Sequence, residues 1–525
     1  MPKVLIADKL SPAAVEIFQR RGVETDIKVG LSKDQLLEII GEYDGLAIRS
    51  ATKVTAEVLK AAPKLKVVGR AGIGVDNVDV EAATAAGVVV MNTPFGNATT
   101  TAEHAISMMM ALARDIPAAD RSTRAGKWEK SRFMGVELTG KTLGIVGCGN
   151  IGSIVADRAR GLKMKVVGFD PFLSDARAEE LGIEKVELDE LCRRADVITL
   201  HTPLTDQTRN LFSRERLLSC RKGVRIVNCA RGGLVDEEAL HDLIVAGHVA
   251  GAALDVFATE PAKESPLFGL EQVVVTPHLG ASTTEAQENV ALQVAEQISD
   301  YLLDGAIINA LNMPSVSAED APRLRPYMQL AEQLGSFAGQ LTETGLKEAT
   351  VTFAGQAATL NNKPLTQLIL KGLLAPFAAS VNMVNAPALA KSRGIQLTTV
   401  THEHVDGYQT LIKLEVVTEK GPRTVSGTLF QGVKPRLVEI RAIPIDAELS
   451  GSVLYVRNQD KPGFIGALGQ LLGEAEVNIA TFHLGRDRPG GDAIALVAID
   501  QPVPADVLER IRALPHVIQA KQLAF

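Results

Sequence analysis

Four cysteines in 525 residues, Cys148, Cys192, Cys220 and Cys229, form no Cys-x-x-Cys pair and no Cys/His set at zinc-ligand spacing. That excludes a disulfide framework and a zinc knuckle, and no other metal set is read. The four read as reduced thiols, with Cys148 and Cys229 packed as small soft side chains beside loop backbone. No apolar run reaches about 18 uninterrupted residues. The opening Met-Pro-Lys-Val-Leu-Ile-Ala-Asp turns charged at Asp8 before a signal core can form. Neither a membrane span nor a secretory signal is therefore read, and a cytoplasmic location is expected. Basic excess is lacking too: the formal net charge is −7 and no Lys/Arg run stands out. Nucleic acid and anionic membrane surfaces are excluded as partners, and an anionic small substrate has to be met by cations gathered locally.

Apolar residues are plentiful, at 46%. At about 150 residues per domain the chain has length for three or four cores. Residues 1–94 alternate short apolar runs (Val4 to Ala7, Gly45 to Arg49, Lys66 to Val68, Val88 to Met91) with helical stretches. The first helix is announced by Ser11 as N-cap and Pro12 at N1. Such alternation predicts a parallel sheet with helices on both faces. The pattern repeats over 95–282, with strands expected near 143–146, 165–169, 196–200, 224–228, 252–254 and 273–275. A long helix over Glu285 to Leu303 leads to 312 and is read as completing the first unit. Residues 313–450 mix amphipathic helices (Arg323 to Leu341, Leu360 to Phe377) with β-rich runs (Leu397 to Thr401, Gln409 to Val417, Thr424 to Phe430), an α+β domain. Residues 452–525 read β-α-β-β-α-β, a ferredoxin-like pattern.

The chemistry starts at Leu-Gly-Ile-Val-Gly147-Cys-Gly149-Asn150-Ile151-Gly152. GxGxxG directly after an apolar run predicts a strand turning into a helix around a diphosphate. The first glycine permits the tight turn, the second lets backbone N–H groups approach, and the third allows close helix packing. The next apolar run ends in Asp170, a carboxylate placed to accept from both ribose hydroxyls of NAD and to repel the 2′-phosphate of NADP. A second glycine motif, Gly69-Arg-Ala-Gly-Ile-Gly-Val-Asp-Asn77, lacks the third glycine. It reads either as backbone N–H groups offered to a small anion such as a carboxylate, or as a plain tight turn.

Downstream, Arg231, Glu260 and His278 each follow an apolar run, so in an open α/β sheet all three can converge at the carboxyl ends of the strands. Oxidation of a secondary alcohol requires a base for the hydroxyl proton, and His278 fits near neutrality. Glu260 would orient the ring, and Arg231 would clamp a substrate carboxylate and polarise the carbonyl oxygen. Taken singly, a His or Arg at a strand end is more often a local hydrogen-bond anchor.

Asn-Cys-Ala-Arg231-Gly-Gly-Leu-Val-Asp-Glu, Ala-Leu-Asp-Val-Phe-Ala-Thr-Glu260-Pro and Thr-Pro-His278-Leu-Gly-Ala-Ser-Thr resemble the signatures of the D-2-hydroxyacid dehydrogenases. Arg49-Ser-Ala-Thr-Lys-Val-Thr, the Gly69 to Asp79 loop and Asn92-Thr-Pro-Phe-Gly-Asn97 resemble the branch of that family that acts on D-3-phosphoglycerate, in its long form with an intervening domain and a C-terminal ACT domain. The resemblance implies two Rossmann-like units, Arg231, Glu260 and His278 as catalytic residues, and 3-phosphohydroxypyruvate as product on the way to L-serine. It implies NAD contacts at Gly147, Gly149, Asn150, Ile151, Gly152, Asp170, Thr202, Pro203, Cys229, Ala230, Asp255, His278 and Gly280, and reads His201 as structural. Substrate contacts are implied at Arg49, for the phosphate, and at Ser50, Arg70, Ile73, Gly74, Asn97, Arg231 and His278.

After Trp128, the one tryptophan, Lys130 and Arg132 read equally as surface charges or as cations reaching a neighbouring subunit of a homodimer or homotetramer. In Arg457-Asn-Gln-Asp-Lys-Pro-Gly463, the ACT resemblance implies an L-serine corner at Asn458, Asp460 and Asn478, with oligomerisation alone as the competing role. Lys434, Arg436 and Arg441 read as a solvated basic face in preference to an anion site. Two other readings remain at this stage: glyoxylate or hydroxypyruvate reduction by the same chemistry, and an NAD-sensing corepressor-like scaffold.

Overall fold

A computed structural model describes residues 1–316, 319–378, 380–405 and 407–525. The first sheet is parallel, with strands β1 (Lys3–Ile6), β2 (Glu24–Ile27), β3 (Gly45–Ile48), β4 (Val67–Arg70) and β5 (Val89–Asn92) in the order β2-β1-β3-β4-β5. The central strands are apolar on both faces because helices cover both. The helix Thr284–Asp304 returns from far along the chain and buries Val290, Val294 and Ile298 against this sheet. It lies so close to β4 that a Cβ on Gly69 would fall 2.6 Å from Val294 and Ile298 side chains. The first glycine of the second motif therefore serves helix packing.

The second sheet joins β6 (Thr142–Val146), β7 (Lys165–Phe169), β8 (Glu184–Lys185), β9 (Val197–Leu200), β10 (Val224–Asn228), β11 (Val249–Leu254) and β12 (Val273–Val275), all parallel, in the order β12-β11-β10-β9-β6-β7-β8. The order reverses between β6 and β9, which opens the crevice that ligands of such sheets use. In the first sheet it reverses between β1 and β3. The helix Ala98–Ala113 links the two units and buries Ala105, Met108, Met109 and Leu112 on the second.

The third sheet contains β13 (Leu346–Gly355), β14 (Gln396–His402), β15 (Thr410–Thr418), β16 (Gly421–Phe430), β17 (Lys434–Ile440) and β18 (Ile443–Ala447) in the order β14-β13-β15-β16-β17-β18. The sequence pattern does not announce β13, β17 or β18. β13 interleaves Lys347, Glu348, Thr350 and Thr352 with its buried residues, and β17 opens on Lys-Pro-Arg. The helices Ala321–Leu341 and Asn362–Leu374 cross at contact distance through glycines. A Cβ on Gly335 would sit 2.2 Å from Ile369 O, and one on Gly372 would sit 2.5 Å from Ser336 N. The fourth sheet, β19 (Ser452–Gln459), β20 (Ile479–Arg486), β21 (Asp492–Ile499) and β22 (Val517–Ala524), has the antiparallel order β20-β21-β19-β22. Its helix-free face shares one core with the third sheet through Val453, Tyr455, Ile494 and Leu496. Arg436 and Arg441 are not a solvated face: Arg436 pairs with Asp446 at 2.8 Å, and Arg441 turns inward, half-buried beside Arg457 and Arg423.

Candidate active site

The carboxyl end of the first sheet is an anion receptor in outline. β1 runs into buried Asp8, whose carboxylate accepts from Arg49 N at 2.6 Å and from Thr52 N at 3.2 Å and its hydroxyl at 2.7 Å. This ties the turn that carries Arg49 and exposed Ser50 to the switch point between β1 and β3. Asn77, standing where a third glycine would complete a dinucleotide motif, braces the same turn by donating to Arg49 O at 2.7 Å and Thr52 O at 2.6 Å.

β4 ends on Arg70. Its guanidinium is mostly buried and its Nε meets no partner among the described residues. Burial, reinforced by the charges of Arg231 and Arg49, pulls its pKa down to about 10. Gly72 (φ +139°) and Gly74 leave space for these side chains: a Cβ on the first would fall 1.7 Å from Arg70 Nη1, and on the second 1.6 Å from Arg231 Nη2. Asn92 donates to Ile73 O at 2.7 Å, which shapes the loop from beneath. Asn97, buried at the start of the linking helix, also has an unpartnered Oδ1. A buried guanidinium donor left unsatisfied, within reach of the charges of Arg231 and Arg49, marks a place prepared for an anion.

On the second sheet the three glycines differ in a way that fits a diphosphate. Gly147 takes φ +93° and a Cβ there would strike His201 O at 2.6 Å. A Cβ on Gly152 would stand 2.0 Å from Gly147 O, so the helix Asn150–Gly161, with Ile151 in its first turn, starts hard against the strand end. Gly149 faces open space, with nothing within 4 Å of the Cβ position. That opening, at a helix N-terminus with free N–H groups, is what a pyrophosphate needs. Asp170 stands at the end of β7, accepting from Cys148 N and Phe172 N, each at 2.8 Å. Thr202 holds a buried hydroxyl without a partner among the described residues, next to exposed Pro203. Burial pushes the Cys148 thiol up to about 12, which keeps it protonated. His201 is also driven neutral, its pKa lowered to about 4 by burial, with Nε2 2.9 Å from the Thr199 hydroxyl.

His278 and Glu260 meet as the sequence leads one to expect: Nδ1 lies 2.7 Å from Glu260 Oε2. The hydrogen bond and the charge of Glu260 raise the histidine's proton affinity against the pull of burial and of Arg231. Burial works to raise the Glu260 carboxyl, but donors from His278 and Phe257 N outweigh it and hold Glu260 below its usual range. With Nδ1 engaged, Nε2 is the atom left for a substrate proton. Arg231 crosses between the units, its Nε 2.9 Å from Asp76 Oδ2 on the first-sheet loop, and its Nη1 donates to Ala230 O at 2.7 Å. Cys229 is buried beside it. Asp255, expected at the cofactor, is fully buried and spends its oxygens on Thr276, Leu279 and Gly280. His104, which contacts this set, follows no apolar run and carries no motif, and Asp76 lies in the Gly69–Asn77 motif without being singled out there. Only the fold brings them in.

Residues 106–280 match the model of the D-isomer specific 2-hydroxyacid dehydrogenase NAD-binding domain, residues 323–441 the D-3-phosphoglycerate dehydrogenase intervening domain, and residues 452–516 the ACT domain. The chain is 44% identical over 522 residues to the D-3-phosphoglycerate dehydrogenase of Synechocystis, covering 99% of this chain and 94% of that one. The chain belongs to the D-3-phosphoglycerate dehydrogenase family. A relative of the same name from Archaeoglobus fulgidus is 41% identical, with 99% of both chains covered. Among solved structures, a glyoxylate reductase from Paecilomyes thermophila is 29% identical with a TM-score of 0.56, covering 59% of this chain and 98% of that one. As a member of the dehydrogenase family the chain is an NAD-dependent oxidoreductase, and the opening at Gly149 fits the dinucleotide.

In the ACT domain the expected corner is dispersed in its bonding. Asn458 is 1% exposed and donates to Gln459 O at 2.8 Å. Asp460 accepts from Arg486 at 2.8 Å and Gly490 N at 3.1 Å, and exposed Asn478 donates to Asp500 at 2.6 Å. Lys130 is exposed, while Arg132 pairs within the chain with Glu129 at 3.0 Å and with Glu271. Among the described residues no helix is long and apolar enough to cross a membrane.

Proposed function

We propose that this dehydrogenase oxidises D-3-phosphoglycerate to 3-phosphohydroxypyruvate at the crevice between the first two units, with Arg231, Glu260 and His278 as its catalytic residues, and so opens L-serine biosynthesis. The observation that carries the reading is the group of three guanidinium ions, in which Arg70, its Nε buried and unpartnered among the described residues, feels the charges of Arg49 and Arg231, and Arg231 in turn acts on His278 of the His278–Glu260 pair. A substrate with one carboxylate and one phosphate satisfies all three. An unphosphorylated hydroxy acid leaves the inner cations unmatched.

NAD, held by the Gly147–Gly152 turn and Asp170, supplies the hydride acceptor when bound. The chain does the rest. His278 Nε2 takes the hydroxyl proton as the carbinol carbon is oxidised, Glu260 steadies the imidazolium that results, and Arg231 bonds the carboxylate and the oxygen becoming a carbonyl. Arg49, at the mouth, takes the phosphate together with Arg70. Rates with phosphorylated and unphosphorylated substrates decide the matter, and equal kcat/KM values would overturn the reading in favour of a glyoxylate or hydroxypyruvate reductase. In the same assay Arg49→Ala should raise KM for phosphoglycerate by about 30-fold, near the lower end for a charge-assisted pair, with KM for NAD within about twofold. Equal rises would place Arg49 outside the phosphate site.

Glu260→Gln gives a pH test whose sign follows from the pairing. Oxidation needs neutral imidazole, and Glu260 raises the proton affinity of His278, so activity falls on acidification through that raised value. Without the carboxylate the acid limb of kcat/KM should move to lower pH, and the plateau should drop about tenfold as the imidazolium loses its partner. An unmoved limb would show that Glu260 does not act through His278. L-serine at the Asn458, Asp460 and Asn478 corner is the regulatory ligand of this reading, in a cytoplasmic homo-oligomer. Initial rates with and without L-serine test the effector.

A further inference from the structure

Asp255 is the hub beneath His278. Its carboxylate is fully buried and accepts from the Thr276 hydroxyl at 2.6 Å, Leu279 N at 2.7 Å and Gly280 N at 2.8 Å, while its carbonyl accepts His278 N at 2.9 Å. These bonds bracket His278 on both sides and hold it at φ +57°, a conformation uncommon for residues other than glycine. All of them come from the segment that Asp255 is holding. Among the described residues the one side-chain donor to this carboxylate from another element is His104, whose Nε2 lies 3.2 Å from Asp255 Oδ1 and 3.2 Å from the Thr276 hydroxyl. Because that hydroxyl gives its proton to Asp255, the two acceptors facing Nε2 require it to carry hydrogen.

We propose that His104 is a positioning residue for the reaction: its ring N–H anchors the Asp255 carboxylate to the helix Ala98–Ala113, and through Asp255 sets the segment 276–280 that presents His278. The helix is suited to this. It begins beside Asn97 in the crevice, and Thr100, one turn in, meets Thr283 hydroxyl to hydroxyl at 3.3 Å, at the start of the helix that returns to the first sheet. His104, a further turn along, thus ties the crossing between the two units to the base. The other groups facing Asp255 are the Cys229 thiol, His278 and Glu260, with Arg231 beyond them acting on His278. His104, Cys229 and Asp255 offer donor atoms within 4.8 Å of one another. Proton donors already occupy the carboxylate, however, and burial keeps the thiol protonated, so the cluster is a hydrogen-bond anchor rather than a metal site.

The inference rests on His278 being the base, and two variants test it. His104→Phe keeps the ring's shape without the N–H, and His104→Gln restores a donor at similar reach. In His104→Phe, kcat for phosphoglycerate should fall about 20-fold, the size of effect seen for groups that orient a catalytic ligand, while KM and NADH affinity stay within about twofold. His104→Gln should recover most of that loss. A readout free of substrate identity is carbethoxylation of His278 by diethyl pyrocarbonate, followed by mass spectrometry as a function of pH. With Asp255 less shielded, its charge at His278 grows, and the midpoint should rise by about half a pH unit in His104→Phe. An unchanged kcat and midpoint would overturn the proposal. So would an equal loss in both variants accompanied by lost NADH binding, which is the signature of general structural damage. If the unaltered chain turned over no phosphoglycerate, the functional reading would fail on its own, and the midpoint would still decide the role of His104.

Discussion

Replacing His278 by asparagine should lower kcat for phosphoglycerate oxidation by about a thousandfold while NADH binds with near-native affinity. General base catalysis contributes about 10²–10⁴ in rate, and the geometry gives His278 no other role that would diminish the figure. Its side chain is 49% exposed, its Nδ1 belongs to Glu260, and no core cluster includes it. Asparagine is the better test than alanine because the backbone there is left-handed, φ +57°. Asparagine tolerates that region, whereas another residue costs about 1–2 kcal/mol and would confuse strain with chemistry. Steady-state rates with NADH fluorescence titration make the check. A loss of NADH binding in step with kcat would mean that the histidine shapes the crevice and takes no proton.

How far the sequence reached can be judged residue by residue. Arg231, Glu260 and His278 were legible because a parallel sheet delivers the residues that follow its apolar runs to one edge, and these three follow β10, β11 and β12. The Gly147–Gly152 turn was legible because steric exclusion writes itself as glycine: Gly152 faces Gly147 O at a distance no Cβ allows. Gly69 shows the limit of that logic, since close approach to a helix 225 residues or more away in sequence leaves the same letter as close approach to a phosphate. Asn77 was misleading in isolation and clear in place, as a brace for the Arg49 turn. Asp76 and His104 were invisible because their meaning lies in contacts of 155 and 151 residues' separation, to Arg231 and Asp255. In the third sheet, β13 opens on Leu-Lys-Glu and β17 on Lys-Pro-Arg, and these adjacent charges, with the proline, break the alternation that would announce a strand.

The second large effect is expected at Arg231, whose substitution by alanine should lower kcat/KM for phosphoglycerate by about a thousandfold, or roughly 4 kcal/mol. Two functions are lost together: the bidentate hold on the carboxylate, and the donor to the oxygen that becomes a carbonyl. Arg231→Lys should recover only part, because an ammonium cannot reproduce the planar fork. The fold itself should hardly notice. Arg231 pairs with Asp76, whose side chain is 69% exposed, and so exposed a partner contributes at most about 1 kcal/mol. The same pairing suggests how the crevice keeps a strong cation ready: Asp76 occupies the guanidinium from the first unit, with water on its other side, and a substrate carboxylate can replace it at little cost. Asp76→Asn should therefore tighten phosphoglycerate binding slightly while Arg231→Ala weakens it. Thermal melts beside full kinetics separate these outcomes. A Tm drop as large as the catalytic loss implies, or a KM for NAD that rises as steeply as that for phosphoglycerate, would show Arg231 to be a strut between the units and not the clamp on the substrate.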